Sequence, residues 1–481
     1  MRTRMGALTL GRLLGEQWRS AGPTYLGLAG RLRALVLDGR LPLDVRVPSE
    51  RQLAEQLHLS RTTVTAAYDH LREDGFLRSR QGSGSWTAVP GGVRPTGGAI
   101  APATSSELAG DVIDLAAATL PADGVAVRAA YEAALLELPR HLPGVGYDAA
   151  GVPEARRAVA EAFEARGLRT DPSQVVVTSG AVSAWALLLR VLVQPGDRVV
   201  VEQPTYPNAL EAARRAGARL VPAPLGDLDE PSWDLDAWRA VLRQSAPTLG
   251  YVLPDCHNPT GAVMGAAQRA ELVAAADAVG TTLVVDETLV DLRLDGRAPE
   301  PPLASFSDSV VTVGGVSKSA WAGLRLGWVR APRDLADRLV EARLSWDLGT
   351  AVLGQLALAH LLRDPDREAH AQARRDEVRV RRDVLEVALR RELPAWRWRT
   401  PQGGLSLWAE LDHRSSSSMA EMAGAHGLRL AAGPRFGVDG ALERYLRLPF
   451  VVPADRVDEA VRRLAGLAAA AADQRPTRLV V

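Results

Sequence analysis

The feature that most restricts this chain is a repeated alternation. Short apolar runs at 175–177, 199–201, 251–253, 282–285 and 310–313 are separated by stretches patterned for helices. Brief runs rich in β-branched residues and closed by polar turns read as strands buried on both faces. Strands alternating with helices over some two hundred residues predict an α/β domain with a largely parallel sheet. From about residue 351 the chain turns more helical and Arg-rich, with one later strand pattern at 405–411, which reads as a smaller α+β lobe. The expected division is a large lobe over about 150–350 and a small lobe over about 351–481 together with 111–149.

The N-terminal part follows another pattern. Residues 89–110 are Pro, Gly, Ala, Ser and Thr with almost no large apolar side chain, the composition of a linker. Ahead of it, Leu28, Leu32, Leu35 and Val36 recur at helical spacing and Gly39 supplies a stop. Ser49 with Gln52 three residues on forms a capping box for a short helix through Leu57. A turn at His58 and Leu59 leads to Ser60, an N-cap for a helix carrying Val64, Ala67, Tyr68 and Leu71 and ended by Gly75. Residues 76–87 then read as two strands around Gly82, Ser83 and Gly84. Three helices and a hairpin predict a winged helix-turn-helix over 20–88.

Charge agrees with a polyanion-binding role for this module. Residues 1–89 hold 13 Arg against 8 Asp and Glu, in a chain whose formal net charge is zero. Ser60, Arg61, Thr62 and Thr63 stand at the start of the second helix of the pair, the turn that meets base edges and phosphates in the major groove of double-stranded DNA. Arg46, Ser49 and Arg51 are placed to hold the backbone, and Arg78, Arg80, Gly82 and Gly84 form a wing beside the minor groove. For any single Arg a solvated surface remains the simpler reading.

One further fact is sharper. Every basic residue except Lys318 is Arg, and Lys318 is the only lysine in the protein. A guanidinium stays protonated, whereas an amine can lose its proton and attack a carbonyl. The lysine follows a strand and Gly314-Gly315, with Arg325 seven residues on. At other strand ends stand Ser179-Gly180-Ala181, a small-residue turn into a helix that suits a phosphate, then Tyr206, able to stack on a flat ring, and Asp286, able to pair with a protonated ring nitrogen. Together these are the parts of a pyridoxal 5′-phosphate site, with Lys318 forming the Schiff base. No metal site is expected.

The N-terminal motifs, Val-Pro-Ser-Glu-Arg-Gln-Leu-Ala at 47–54, Ser-Arg-Thr-Thr-Val at 60–64 and Gly-Ser-Gly at 82–84, resemble the winged helix-turn-helix of the GntR regulators. Residues 111–460 resemble a fold-type I aminotransferase domain, and the whole chain resembles the MocR subgroup of GntR regulators. The resemblance implies that Asn258, within Asp255-Cys256-His257-Asn258-Pro259-Thr260-Gly261, lies beside the cofactor's 3-hydroxyl. It further implies Asp286 as the ring-nitrogen partner and Ser179, Gly180, Ala181, Ser317 and Arg325 as the phosphate cradle. Arg447 would grip an amino-acid carboxylate, and Tyr147 would reach the phosphate of a neighbouring subunit. The family places a tyrosine two or three residues after its Asp; here those positions are Thr288 and Leu289, of which only Thr288 has a hydroxyl.

The resulting expectation is a homodimeric, sequence-specific DNA-binding regulator sensing pyridoxal phosphate or its adduct with an amino acid. Residual or half-transamination is compatible with it. The alternative is an active aminotransferase with an accessory DNA-binding module. No apolar run approaches the about 20 residues of a membrane span, Arg2, Arg4 and Arg12 precede no long apolar stretch, and Cys256 stands alone. These features point to the cytoplasm, with Cys256 a small buried residue.

Overall fold

The computed structural model describes residues 5–15, 17–20, 23–37, 41, 45–80, 84–88, 100, 111–226, 233–412, 416–438 and 441–473. The N-terminal module has helices Thr24–Leu37, Glu50–Leu57 and Arg61–Glu73, followed by an antiparallel hairpin of β1 (Leu77–Arg80) and β2 (Gly84–Thr87). Its helix starts are set locally. The Ser49 hydroxyl accepts from Gln52 N while the Gln52 side chain returns to Ser49 N, and Ser60 accepts from Thr63 N. Leu28, Leu32, Leu35, Leu53, Val64, Tyr68 and Leu71 form the core.

Helix Ala7–Leu14 and the turn Gln17–Ser20 bring Leu10, Leu14 and Trp18 into that core, so packing begins ahead of residue 20. Gly82 and the Arg80 side chain lie outside the described residues, as does the linker apart from Ile100. Helix Thr24–Leu37 meets the C-terminal lobe through Arg31–Glu443 at 3.5 Å and Arg33–Glu421 at 2.7 Å.

The large lobe is built on a seven-stranded sheet. Its strands are β4 (Val175–Thr178), β5 (Arg198–Gln203), β6 (Arg219–Pro224), β7 (Leu249–Val252), β8 (Thr282–Asp286), β9 (Val311–Gly315) and β10 (Gly327–Arg330). The order is β4-β10-β9-β8-β7-β5-β6, and β10 alone runs antiparallel to its neighbours. The period of two divides the apolar runs between the faces. Val175, Val177, Val200, Val252 and Val285 enter one core, and Val176, Val199, Val201, Val284 and Val313 the other.

β3 (Ile113–Leu115), β11 (Ser406–Glu410), β12 (Leu428–Ala432) and β13 (Tyr445–Pro449) make the small-lobe sheet, ordered β11-β13-β12-β3. Helices Arg367–Glu392 and Val457–Asp473 cover it, placing Val378, Leu385, Val461 and Leu464 against Leu407, Leu430 and Leu446. One sequence expectation is corrected. Helices Gly124–Glu137 and Val352–Arg363, assigned above to the small lobe, bury Ala126, Val127, Ala130, Leu356 and Leu361 in the large-lobe core with Val175 and Val177. Apolar periodicity says that a helix face is buried; it does not say against what.

Gly327 on β10 sits opposite Gly315 and Thr178. A Cβ there would lie 2.6 Å from the Gly314 carbonyl oxygen and 2.8 Å from Gly180 Cα. Gly327→Ala is therefore expected to lower stability by about 1–3 kcal/mol in urea unfolding. Gly30→Ala, in a helix with open space around it, serves as the control and is expected to be neutral or stabilising.

Candidate functional site

A cavity of ≈310 Å³ lies between the lobes, at the carboxyl ends of the parallel strands. Its wall brings together Ala181, Tyr206, Asn258, Asp286, Thr288, Ser317, Lys318, Arg325 and Arg447. Ser179 and Gly180 stand behind it against Arg325. Tyr147 does not join them: it is 73% exposed, in a stretch of chain where Leu136, Leu142 and Val145 are exposed as well.

β4 delivers the chain into the turn Ser179–Gly180 and then helix Ala181–Leu192. Gly180 has φ +99°, and a Cβ there would lie 2.9 Å from Arg325 Nη2. The same guanidinium nitrogen donates to the Ser179 carbonyl at 2.8 Å. A helix N-terminus and a guanidinium thus converge on one spot, a cradle suited to a phosphate.

Asp286 ends β8 with both oxygens engaged. Tyr251 Oη donates to Oδ2 at 2.6 Å, and Thr288 donates to Oδ1 from its N–H at 2.9 Å and its hydroxyl at 2.7 Å. The Thr288 hydroxyl is thereby spent on Asp286 and does not replace the family's tyrosine. Leu289 is buried in the small-lobe core.

Lys318 Nζ donates to the Ala118 carbonyl at 2.6 Å. Burial, then the positive charges of Arg447 and Arg325, lower its pKa to about 8, against a partial opposing effect of Asp286. Arg447 comes from β13 and is 2% exposed. It donates to Asn258 Oδ1 at 3.3 Å and to the Ala116 carbonyl, lies 5.0 Å from the Phe436 ring, and leaves its buried Nε without a partner among the described residues. Burial lowers its pKa to about 10.

The segment presenting Asn258 is pinned by a buried ion pair and a buried histidine–carboxylate contact. Arg269 holds Asp255 at 2.6 Å, and His257 Nε2 lies 3.2 Å from Glu202, which also accepts from Trp233 Nε1 at 2.6 Å. Cys256 is buried, and burial raises its thiol pKa. Sequence reasoning missed three contributors. Tyr251 reads as one more core residue of an apolar strand. Ala117, Ala118 and Thr119 close the cavity with no chemical signal of their own. Ile100, within the linker, lines the cavity and is held by Asn208, whose Oδ1 accepts from Ile100 N at 2.7 Å.

On the N-terminal module, Arg61 and Thr62 are exposed at the start of their helix, with Ser60 Oγ 2.7 Å from both Thr62 Oγ1 and Thr63 Oγ1. Arg46, Ser49 and Gly84 line one depression of ≈260 Å³ between the wing and helix Glu50–Leu57. Arg78 is exposed on β1, and Arg51 pairs with Glu55 at 3.0 Å. Arg72, not anticipated, donates to Glu50 and Ser85 at 3.0 Å each and ties the recognition helix to its partner helix and the wing.

Comparison with known proteins decides the family. The aminotransferase class I and II family matches residues 111–464, and the bacterial regulatory proteins of the gntR family match residues 24–86. The probable rhizopine catabolism regulatory protein MocR of Rhizobium meliloti is 31% identical over 78% of this chain and 78% of its own length. The chain belongs to the MocR-type gntR regulators.

The uncharacterized HTH-type regulator YisV of Bacillus subtilis is also similar, at 28% identity over 82% of this chain and 86% of that one. Among solved structures, LysN, the alpha-aminoadipate aminotransferase of Thermus thermophilus, complexed with N-(5′-phosphopyridoxyl)-L-leucine, superposes with a TM-score of 0.69. It is 29% identical and covers 78% of this chain and 97% of its own. Membership of the class I and II aminotransferase family implies pyridoxal 5′-phosphate. The residues of this MocR-type chain fit that group: an amine of lowered pKa, a phosphate cradle that a Cβ would fill, a hydrogen-bonded carboxyl, and an orphaned guanidinium nitrogen.

Two outcomes follow. An amine condenses with an aldehyde only in its neutral form, and Lys318, with its pKa lowered to about 8, reaches that form at a lower pH than an ordinary lysine. Stopped-flow absorbance should therefore show cofactor loading accelerating as pH rises through about 8 and flattening above it, well below the 10.5 of an ordinary lysine. Tyr251→Phe removes the donor to Asp286 Oδ2 and is expected to cost about 1–3 kcal/mol in denaturant unfolding, with cofactor uptake retained.

Proposed function

We propose that this MocR-type chain is a transcription regulator whose Lys318 cavity binds pyridoxal phosphate and senses it, or its adduct with an amino acid, through the posture of the DNA reader. In this reading Lys318 Nζ holds the carbonyl carbon. Gly180, Ala181, Ser317 and Arg325 hold the phosphate, Asp286 faces the ring nitrogen, Asn258 faces the 3-hydroxyl and Tyr206 covers the ring. The bound group supplies an electron sink for bonds at an amino acid's α-carbon. Arg447 would take an effector's carboxylate with its unpartnered edge. Arg46, Ser49, Arg51, Ser60, Arg61, Thr62, Thr63 and Arg78, with the wing residues Arg80, Gly82 and Gly84, would contact duplex DNA.

The observation that carries the sensing role is Ile100. The chain between reader and cavity sends a side chain into the cavity wall, where Asn208 holds it. A ligand that fills the cavity is then felt by the segment leading to the DNA-binding module. The exposed apolar residues near Tyr147 in the chain, Leu136, Leu142 and Val145, support a homodimer in which Tyr147 reaches the neighbouring site. The enzyme reading has one specific support, an intact Arg447 facing Lys318 across the cavity. Against efficient turnover stands Thr288, whose hydroxyl is committed to Asp286.

The test is binding of the protein to the DNA upstream of its own gene, titrated with pyridoxal phosphate at fixed salt, for the natural chain and Lys318→Ala. A cofactor-dependent change in affinity or footprint, lost in Lys318→Ala while its cofactor-free DNA binding stays intact, is expected. Full cofactor loading with no selective DNA binding, together with steady amino-acid turnover, would replace the regulator with the enzyme.

A further inference from the structure

A second cavity lies behind the Lys318 loop. At ≈420 Å³ it exceeds the first, and the two share no lining residue. Its apolar floor is Val159, Phe163, Val316, Trp328 and Leu361, from helices Pro153–Glu164 and Val352–Arg363 and strand β10 with the loop after β9. Glu287 and Ser319, the residues immediately after Asp286 and Lys318, belong to its wall. The same two loops therefore face one cavity with the cofactor machinery and the other with their next residues.

Charge separates the two sites. Around the rear cavity five carboxylates (Asp123, Glu287, Asp291, Asp364 and Glu368) face two guanidiniums and one imidazole. Arg166 answers Glu287 at 2.6 Å, Arg367 lies 3.6 Å from Asp291, and Glu368 is held by Arg375. Among the described residues, Asp123 and Asp364 share only His370, at 3.0 and 3.9 Å. One imidazole can neutralise at most one of them, so negative charge is left over. Yet their hydrogen-bonding needs are already served: Asp123 caps Ala126 N at 3.2 Å, and Asp364 accepts from Asp366 N at 2.9 Å. What the site lacks is positive charge, not donors. Trp328 adds an aromatic ring to the same cavity, a surface that favours a weakly hydrated cation, while the Phe163 ring beside it already faces the Arg166 guanidinium at 6.0 Å.

We propose that this rear cavity is a second small-molecule site, for a tertiary or quaternary ammonium with an apolar body. Its volume is within the usual range for such ligands, about 300–1,000 Å³. The Lys318 cavity, with Lys318, Arg325 and Arg447 in its wall, has the opposite charge and repels the same ligand.

The probe is benzyltrimethylammonium, which cannot condense with a carbonyl, titrated by calorimetry into the full-length, cofactor-loaded protein. Saturable binding is expected. It should weaken at least ten-fold in Leu361→Trp, which fills the floor, and in Asp364→Asn, which keeps the hydrogen-bonding shape but removes the charge. Phenylacetate, of similar body and opposite charge, should not bind there. Should Leu361→Trp fail to fold, Asp364→Asn decides the matter. The proposal is overturned if the natural protein does not take up the probe, if folded variants bind it as the natural protein does, or if phenylacetate binds equally well and displaces the probe.

Discussion

Asp286 takes hydrogen bonds from two directions, from Tyr251 on the neighbouring strand and from Thr288 just beyond its own. Three donors on one carboxyl group fix its orientation at the carboxyl end of the central strand, and the rest of the cavity is arranged around that fixed point. β9 lies beside β8, so the loop that carries Lys318 leaves the sheet next to Asp286. β10 then returns between β9 and β4, and its Gly327 lets Gly180 approach closely. The antiparallel strand thereby places Arg325, just ahead of it, against the phosphate turn. A side chain at Gly327 would force these loops apart, so the packing of three strands and the chemistry of the cavity have one cause.

Electrostatics divides the labour. Lys318, Arg325 and Arg447 share the front cavity with a single strand-end carboxyl, Asp286. An excess of positive charge suits a phosphate and a carboxylate arriving together, and it also pushes the lysine toward its neutral form. Arg447 is supplied by the other lobe, so the positive charge of this cavity is assembled from both lobes. The rear cavity reverses the sign while sharing the same two loops, so anionic and cationic ligands are sorted without any common side chain.

Much of this was legible in the sequence where the signal is local or chemically exclusive. The caps at Ser49 and Ser60 act within three residues, so the reader's helices could be placed from their caps. Lys318 stood out because no other side chain in the protein is an amine. The rest depends on tertiary neighbours. Tyr251 looks like any aromatic in a buried strand until β8 is laid beside it. The stretch Ala116–Ala118 contributes carbonyls to Lys318 and Arg447 through backbone alone, which no side-chain pattern records. The helices at 124–137 and 352–363 show an apolar face but not its partner, so the lobe boundary drawn from composition fell in the wrong place. Leu10 and Leu14 were overlooked because a single short helix with interspersed Gly and Arg carries too few turns to show a period.

The ion pairs Arg33–Glu421 and Arg31–Glu443 join the reader to the body with unequal strength. Arg33–Glu421 is about a third exposed on each side, and a pair of that kind contributes no more than about 1 kcal/mol. Glu443 also accepts from Ser417 N at 2.8 Å and Ser417 Oγ at 2.9 Å, but it is Arg31 that answers its charge, so this largely buried pair is the firmer half of the joint. Arg33 also reaches Asp74, the C-cap of the recognition helix, at 3.2 Å, so loosening this contact is transmitted to the element that meets DNA. Coupling free energies between sites are typically about 1–3 kcal/mol. The anchor at Ile100 matters for the same reason. From Ala88 to Ile100 the chain can span at most about 40 Å, and releasing the anchor nearly doubles the length of tether before the next described segment. In the proposed sensing role, a ligand that displaces Ile100 would not need to bend the reader; it would act by lowering the reader's effective concentration at the small lobe.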